Sequence, residues 1–286
     1  MAGASMKDIK LRIRSVQSTM QITKAMELVA SSKLRKAKER AENSRPYFNL
    51  LYDSLCDIAA ALGGDVESPY IRERETRKTC YIVVAGDRGL AGGYNNNVFK
   101  LVQSDCPDLS TSCFLPIGKK AVEFFQKRNA EIVSRDFTLA EQMNGELSGK
   151  AARLLCEGYL RGDFDQVKMV YTNFASMLSQ SPILTTVLPL PHPPVQEKPK
   201  TRALTLYEPA PPAIFNKIIP DFMAGMVYGG ICESLASELA ARRNAMDSAS
   251  KNAGEMIEDL SLKYNRARQG AITQELTEIV AGAEAQ

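Results

Sequence analysis

The chain has almost no histidine. His192 is the only one, and it sits in the stretch Leu190-Pro191-His192-Pro193-Pro194, which reads as a stiff exposed loop. A histidine-based triad, a histidine metal cluster or a histidine general base in a core cleft is therefore not expected. Carboxylates abound, but no spacing pairs them, so no catalytic residue, metal site or cofactor is expected. Cysteine is sparse and scattered: Cys56, Cys80, Cys106, Cys113, Cys156 and Cys232 form no Cys-x-x-Cys pair. They read as reduced core thiols of a cytosolic protein. Cys106 and Cys113 flank a Pro-Asp turn where a pairing is open but not required. No apolar run approaches the roughly 20 residues a bilayer span needs, which speaks against direct insertion in a bilayer. No basic-then-apolar signal opens the chain.

Proline is missing from Asp221 to Gln286, and the segment Lys7–Arg45 is also proline-free. Each reads as one long helix. In the first, Ile9, Ile13, Val16, Met20, Thr23, Ala30, Leu34, Ala37 and Ala41 recur at alternating spacings of three and four, a coiled-coil seam that Glu27 interrupts. Pro46 is expected to bend or break this helix. In the second, the seam reads Met246, Ala249, Ala253, Met256, Leu260, Tyr264 and Ala267, continuing as Ile272, Leu276, Ile279 and Val280. The two are expected to pair as an antiparallel coil. The apolar stripe at the far end, too distant to meet the first helix, must then protrude alone or enter a partner.

Net charge over the 286 residues is only +3, but it is unevenly spread. Lys7–Arg45 is a basic rod without aromatic residues, and the tail bearing Glu275, Glu278 and Glu284 is acidic. Missing aromatics, with Glu39 and Glu42 placed i,i+4 from Arg35 and Lys38, make a solvated or partner-facing helix the stronger reading than a nucleic-acid binder.

Between the helices, strands and helices alternate. Expected strands are Thr79–Ala85, Cys113–Ile117, Glu131–Arg135, Val167–Thr172, Ile183–Leu188 and Ala203–Tyr207. Expected helices are Asn95–Gln103, Lys119–Lys127 and Gly145–Arg161. The first four strands are separated by helical stretches, which predicts a parallel sheet with right-handed crossovers. The fold class is α/β: a long antiparallel coiled coil of the terminal helices plus a Rossmann-like domain. Residues 1–60 and 210–286 are assigned to the coil and 76–208 to the α/β domain.

The turn Gly86-Asp87-Arg88-Gly89-Leu90-Ala91-Gly92-Gly93 follows a strand and opens a helix, as a phosphate-binding turn does. Its spacing departs from G-x-G-x-x-G, and no Gly-Lys-Ser/Thr follows. The glycines read first as a sharp turn with close strand–helix packing, and Asp87 and Arg88 as a docking edge. Three classes stay open on these residues: a mechanical subunit, a nucleotide enzyme with a coiled-coil tether, and a nucleic-acid-binding coil.

Three segments narrow them. The run Ile13-Arg14-Ser15-Val16-Gln17-Ser18-Thr19 with Ile22–Ala30, the Gly86–Gly93 turn, and the tail Tyr264–Gln269 with Ile272–Ala283 resemble the gamma subunit of F-type ATP synthase. The resemblance implies a non-catalytic rotor without a cofactor, set between a hexamer of alpha and beta subunits, an epsilon subunit and a membrane c-ring, with no nucleic acid. It places Met26, Arg242, Arg268, Gln269 and Thr273 against the hexamer. It places Tyr207 and Glu208 at the foot near the ring, where Asp87 and Arg88 are expected to join them. Ala91 stands where the family often has cysteine, and Arg243 where it commonly has methionine. The absence of a transit peptide points to the cytoplasmic face of a bacterial inner membrane.

Overall fold

A computed structural model describes residues 6–62, 67–191, 207–208 and 210–284. His192 and residues 203–206 of the sixth expected strand lie outside that set, and Tyr207 is not in a strand. The elements in chain order are α1 (Met6–Ala61), β1 (Thr79–Val84), α2 (Tyr94–Asp105), β2 (Ser112–Ile117), α3 (Lys119–Gln126), β3 (Glu131–Ile132), α4 (Gly145–Arg161), β4 (Gln166–Phe174), β5 (Gln180–Leu188) and α5 (Pro211–Glu284). The α/β assignment holds. The chain divides into two compact units, one of Met1–Ser31 with Arg242–Gln286, the other Ser32–Ala241. Boundaries drawn at 60 and 210 follow the elements; the compact units instead share each long helix.

In the helical unit, the α1 seam is the expected one. Ile9, Ile13, Val16 and Met20 are half-buried, and Thr23 and Ala30 are buried. The Thr23 and Ser250 hydroxyls hydrogen-bond across the pair at 2.6 Å. The α5 seam differs from the expected frame. Met256 is 52% exposed, and its place is taken by half-buried Ile257. The covered positions run Met246, Ser250, Ala253, Ile257, Leu260, Tyr264, Ala267 and Ala271, an unbroken four-three repeat. Apolar content alone favoured methionine. The repeat is instead kept by a serine, whose hydroxyl finds a partner hydroxyl in the seam.

In the other unit, the sheet has the order β3-β2-β1-β4-β5. β1 pairs in parallel with β2 and β4, β2 in parallel with β3, and β4 antiparallel with β5. β1 and β2 are buried at every position, as strands covered on both faces must be. Cys80, Ile82 and Val84 join Leu155 and Tyr159 of α4 and Phe215, Met223 and Ile231 of α5 in one core. Tyr81, Val83 and Ala85 join Val98 of α2 and Phe125 of α3 in the other. β3 stops three residues short of its expected end. Ser134 and Asp136 hydrogen-bond each other there and turn the chain.

Internal proline does not end either long helix. α1 runs through Pro46 and α5 through Pro220, so the break expected at Pro46 does not occur. A proline inside a helix costs about 3 kcal/mol. Beyond Pro46, Leu55, Ile58 and Ala59 are buried, and Phe48 stacks on Phe222 at 5.1 Å. Several buried side chains at about 1.5–3 kcal/mol each outweigh the proline.

All six cysteines are free and buried. Burial pushes the Cys156 thiol up to about 12 and raises those of Cys56 and Cys232. Cys106 and Cys113 belong to cores on opposite faces of the sheet, so they do not pair.

Candidate functional site: the glycine turn and the exposed helix stripe

The carboxyl edge of β1 and β4 is where the strand order reverses, the place where open α/β sheets hold ligands. Here α5 fills it. Ser234 accepts through Oγ from the Thr172 backbone N–H (3.0 Å), and Ser237 donates to the Thr172 carbonyl (3.2 Å). The Tyr94 hydroxyl donates to the Ser234 carbonyl at 3.1 Å. Glu238, 4% exposed, lies against the glycine turn: a Cβ added at Gly86 would meet its Oε1 at 2.7 Å. A carboxylate of the chain itself occupies the space a phosphate would need. The sequence signal for this was the polar pattern Ser234-x-x-Ser237-Glu238 inside an otherwise apolar helix stretch, which the glycine-centred reading passed over.

Asp87 is built into this turn. Its carboxylate accepts from the backbone N–H groups of Lys119 (3.1 Å), Ala140 (3.0 Å) and Glu141 (3.1 Å). Asn95 accepts from Gly86 N–H at 2.8 Å and donates to the Arg88 carbonyl. Glu141 in turn pairs with Lys33 of α1 at 3.1 Å. Asp87 is thus an internal brace, while Arg88 is exposed. ATP titrated into the isolated chain is expected to give no saturable heat at micromolar concentration. Micromolar binding that Gly89→Val abolishes would show the crevice to be open after all.

The four foot residues do not come together. Glu238 touches Gly86, and 27 residues of α5 separate it from Pro211, roughly 40 Å of helix. Tyr207 lies only four residues before Pro211 and packs, half-buried, against the core that includes Leu188 and Phe215. At most about 14 Å of chain links the two. Allowing for the Glu238 side chain and the step from Gly86 to Arg88, Asp87 and Arg88 therefore stand on the order of 10 Å or more from Tyr207 and Glu208. The expectation puts both pairs on one docking surface; they lie beside different parts of α5.

In the helical unit, Arg268, Gln269 and Thr273 are exposed and Met26 is half-buried. Arg242 is only 9% exposed and so is mostly covered by its own chain. After Ala271 every described side chain of α5 is exposed, among them Ile272, Leu276, Ile279 and Val280. On the outer side of α1, Ile22, Leu28 and Val29 are exposed as well. Apolar surface left open on this scale marks contact with other chains.

Fold and site together define an assembly subunit: an α/β domain whose ligand crevice is closed by its own helix, joined in sequence to two unequal helices that end in uncovered apolar surface. The ATP synthase family model matches residues 5–286. An ATP synthase gamma chain of Ruminococcus albus is 46% identical over 280 residues, 96% of either chain. The sodium-ion-specific ATP synthase gamma chain of Acetobacterium woodii is 42% identical over 298 residues, 98% of either chain. The chain belongs to the ATP synthase gamma chain family. The fold is also that of chains in solved mitochondrial ATP synthases. One, from the Euglena gracilis mitochondrial ATP synthase, has a TM-score of 0.65 at 16% identity, covering 98% of this chain and 94% of that one. Another, from the central stalk and c-ring of the Tetrahymena thermophila enzyme, has 0.58 at 23% identity, covering 80% and 99%. Among the described residues no helix is long and apolar enough to cross a membrane.

Proposed function

We propose that this chain is the central rotor stalk of an F-type ATP synthase. It catalyses nothing itself and carries torque between an ion-driven membrane ring and a hexamer of alpha and beta subunits. It works as a peripheral protein on the cytoplasmic face of a bacterial membrane, with an epsilon subunit beside its α/β domain. The observation that carries this reading is the stripe of Ile272, Leu276, Ile279 and Val280, which lies beyond the reach of the α1 seam. A helix end of this kind is stable only when other chains enclose it. The glycine turn closed by Glu238 supports a mechanical role over a nucleotide-binding one.

Within this reading Arg268, Gln269 and Thr273 face the hexamer, where their side chains offer breakable polar contacts. Met26, farther along the helix pair near the Thr23–Ser250 level, supplies a flexible contact with no directional bond to break. Arg242 contributes from beneath, as a covered cation that supports the helix pair. The ring contact is assigned to Tyr207 and Glu208 alone, and Arg88 to a different surface.

Single cysteines at residues 208 and 88 test this in the assembled complex. The cysteine at 208 is expected to cross-link to the polar loops of the ring and the one at 88 to stay unlinked to it. Ring cross-links from 88, or only hexamer cross-links from 208, would reverse the assignment of ends.

A further inference from the structure

A cavity of about 150 Å³ lies between α1, α5 and the paired strands β4 and β5, and it shares no residue with the glycine turn. The sequence of α5 makes room for it. Gly225, Gly229 and Glu233 stand four residues apart, on one face of the helix. Glycine weakens a helix interior, and here it leaves space instead of a side chain. A Cβ added at Gly229 would meet nothing within 4 Å, and one at Gly225 would meet only Phe48, at 3.6 Å. Gly230 differs: its Cβ would strike Met169, so that part of the helix packs flush on the sheet. The apolar walls are Phe48 from α1, Met226 from α5, and Met169, Tyr171 and Val187 from the strands. A cavity of this volume with apolar walls holds one six-membered aromatic ring.

One carboxylate opens into this apolar setting. Glu233 keeps only 25% of its side chain exposed. Its ionic partner among the described residues is the Arg45 guanidinium at 3.9 Å, too far for a hydrogen bond. Arg45 is itself 66% exposed. From β4 comes Tyr171, kept a neutral phenol by burial and then by the charge of Glu233. From β5 come Thr185 and Val187, without charge. Burial pushes the Glu233 carboxyl up, and Arg45 offsets this only in part. A largely covered carboxylate without a hydrogen bond is unfavourable, and an ammonium group brought to it supplies the missing donor. The faces of Phe48 and Tyr171 attract a cation as well.

We propose that this cavity is a binding site for a small protonated arylalkylamine, its ring among Phe48, Tyr171 and Met226 and its ammonium donating to the Glu233 carboxylate. Arg45 gives way to the ligand by moving into solvent. A ligand seated there touches α1, α5, β4 and β5 at once and stabilises their packing by mass action.

The test uses the full chain, with phenethylamine as the probe and 2-phenylethanol as its neutral counterpart. Calorimetry is expected to give one saturable site for phenethylamine with a dissociation constant on the order of 0.1 mM. The alcohol should bind about tenfold more weakly or worse. Methyl resonances of Met169 and Met226 should shift on binding, and that of Met20 in the α1 seam should not. Glu233→Gln is expected to weaken phenethylamine about tenfold, and Arg45→Gln to strengthen it about threefold by removing the competing cation. Gly229→Leu fills the space and should abolish binding. Glu233→Gln keeps the shape of the site, so its free chain should unfold at the wild-type temperature, which separates lost binding from lost folding. No saturable binding by the wild-type chain, equal affinity for the two probes, or wild-type affinity in Glu233→Gln would overturn the inference. So would shifts confined to methyl groups outside the cavity.

Discussion

Replacing Gly118 by alanine is expected to be the most damaging small substitution in the α/β unit. Gly118 has φ +98° and ψ 144°, a region that side-chain-bearing residues avoid at a cost of about 1–3 kcal/mol. Its position is also crowded: an added Cβ would stand 2.1 Å from the Ala85 carbonyl oxygen. That oxygen belongs to backbone, so it does not swing aside. The peptide is fixed on both sides, since Gly118 N–H donates to the Phe137 carbonyl and Lys120 N–H to the Gly86 carbonyl. Strain and clash together should cost about 4 kcal/mol or more, a large share of the roughly 5–15 kcal/mol that holds a domain folded. The control is Gly89→Ala, where nothing lies within 4 Å of the new methyl group; it should be nearly neutral. Urea midpoints of the two variants decide the point, and equal midpoints would show the Ala85–Gly118 crossing to be pliable.

Removing residues 270–286 is expected to have the largest functional effect. In the isolated chain it should change stability little, because every described side chain from Ile272 onward is exposed. In the assembled enzyme it deletes four large apolar side chains that the rotor reading buries in the hexamer. Each fully buried side chain of this size is worth about 1.5–3 kcal/mol. Even partial burial of the four therefore predicts a loss of torque or assembly of well over tenfold. Deletion of residues 283–286 removes no large apolar group and should be mild. Rotation assays on both truncations, beside unfolding of the free chains, separate the contributions. Equal torque in both truncations would defeat the burial of this stripe in the hexamer, and a destabilised free chain would show that the tip packs within this protein.

Both results depend on features of different legibility. The seam of α1 was readable because coiled-coil burial is periodic and its period is written in local spacing: Ile9 through Ala41 are all covered to some degree. The parallel order of the first four strands was readable for a similar reason, since helical stretches between strands leave few alternatives. The exposed stripe at the end of α5 followed from simple length, the second helix outrunning the first.

Tertiary structure alone decided the rest. Pro46 and Pro220 carry a strong local signal to stop a helix, yet burial of Ile58 and Phe222 against distant parts of the chain overrides it. Ile257 rather than Met256 faces the α1 seam because the register is set by pairs such as Thr23 with Ser250, 227 residues apart in sequence. Asp87 resembled a docking residue and is a brace, because its three backbone donors come from segments far along the chain. The glycine turn resembled a phosphate cradle, and whether it was open depended on where Glu238 came to rest. Periodicity, propensity and length are properties of neighbouring residues and are legible in order. Which register wins, which strand ends meet and which crevice is filled depend on contacts between residues that are remote in sequence, and those exist only once the chain has packed.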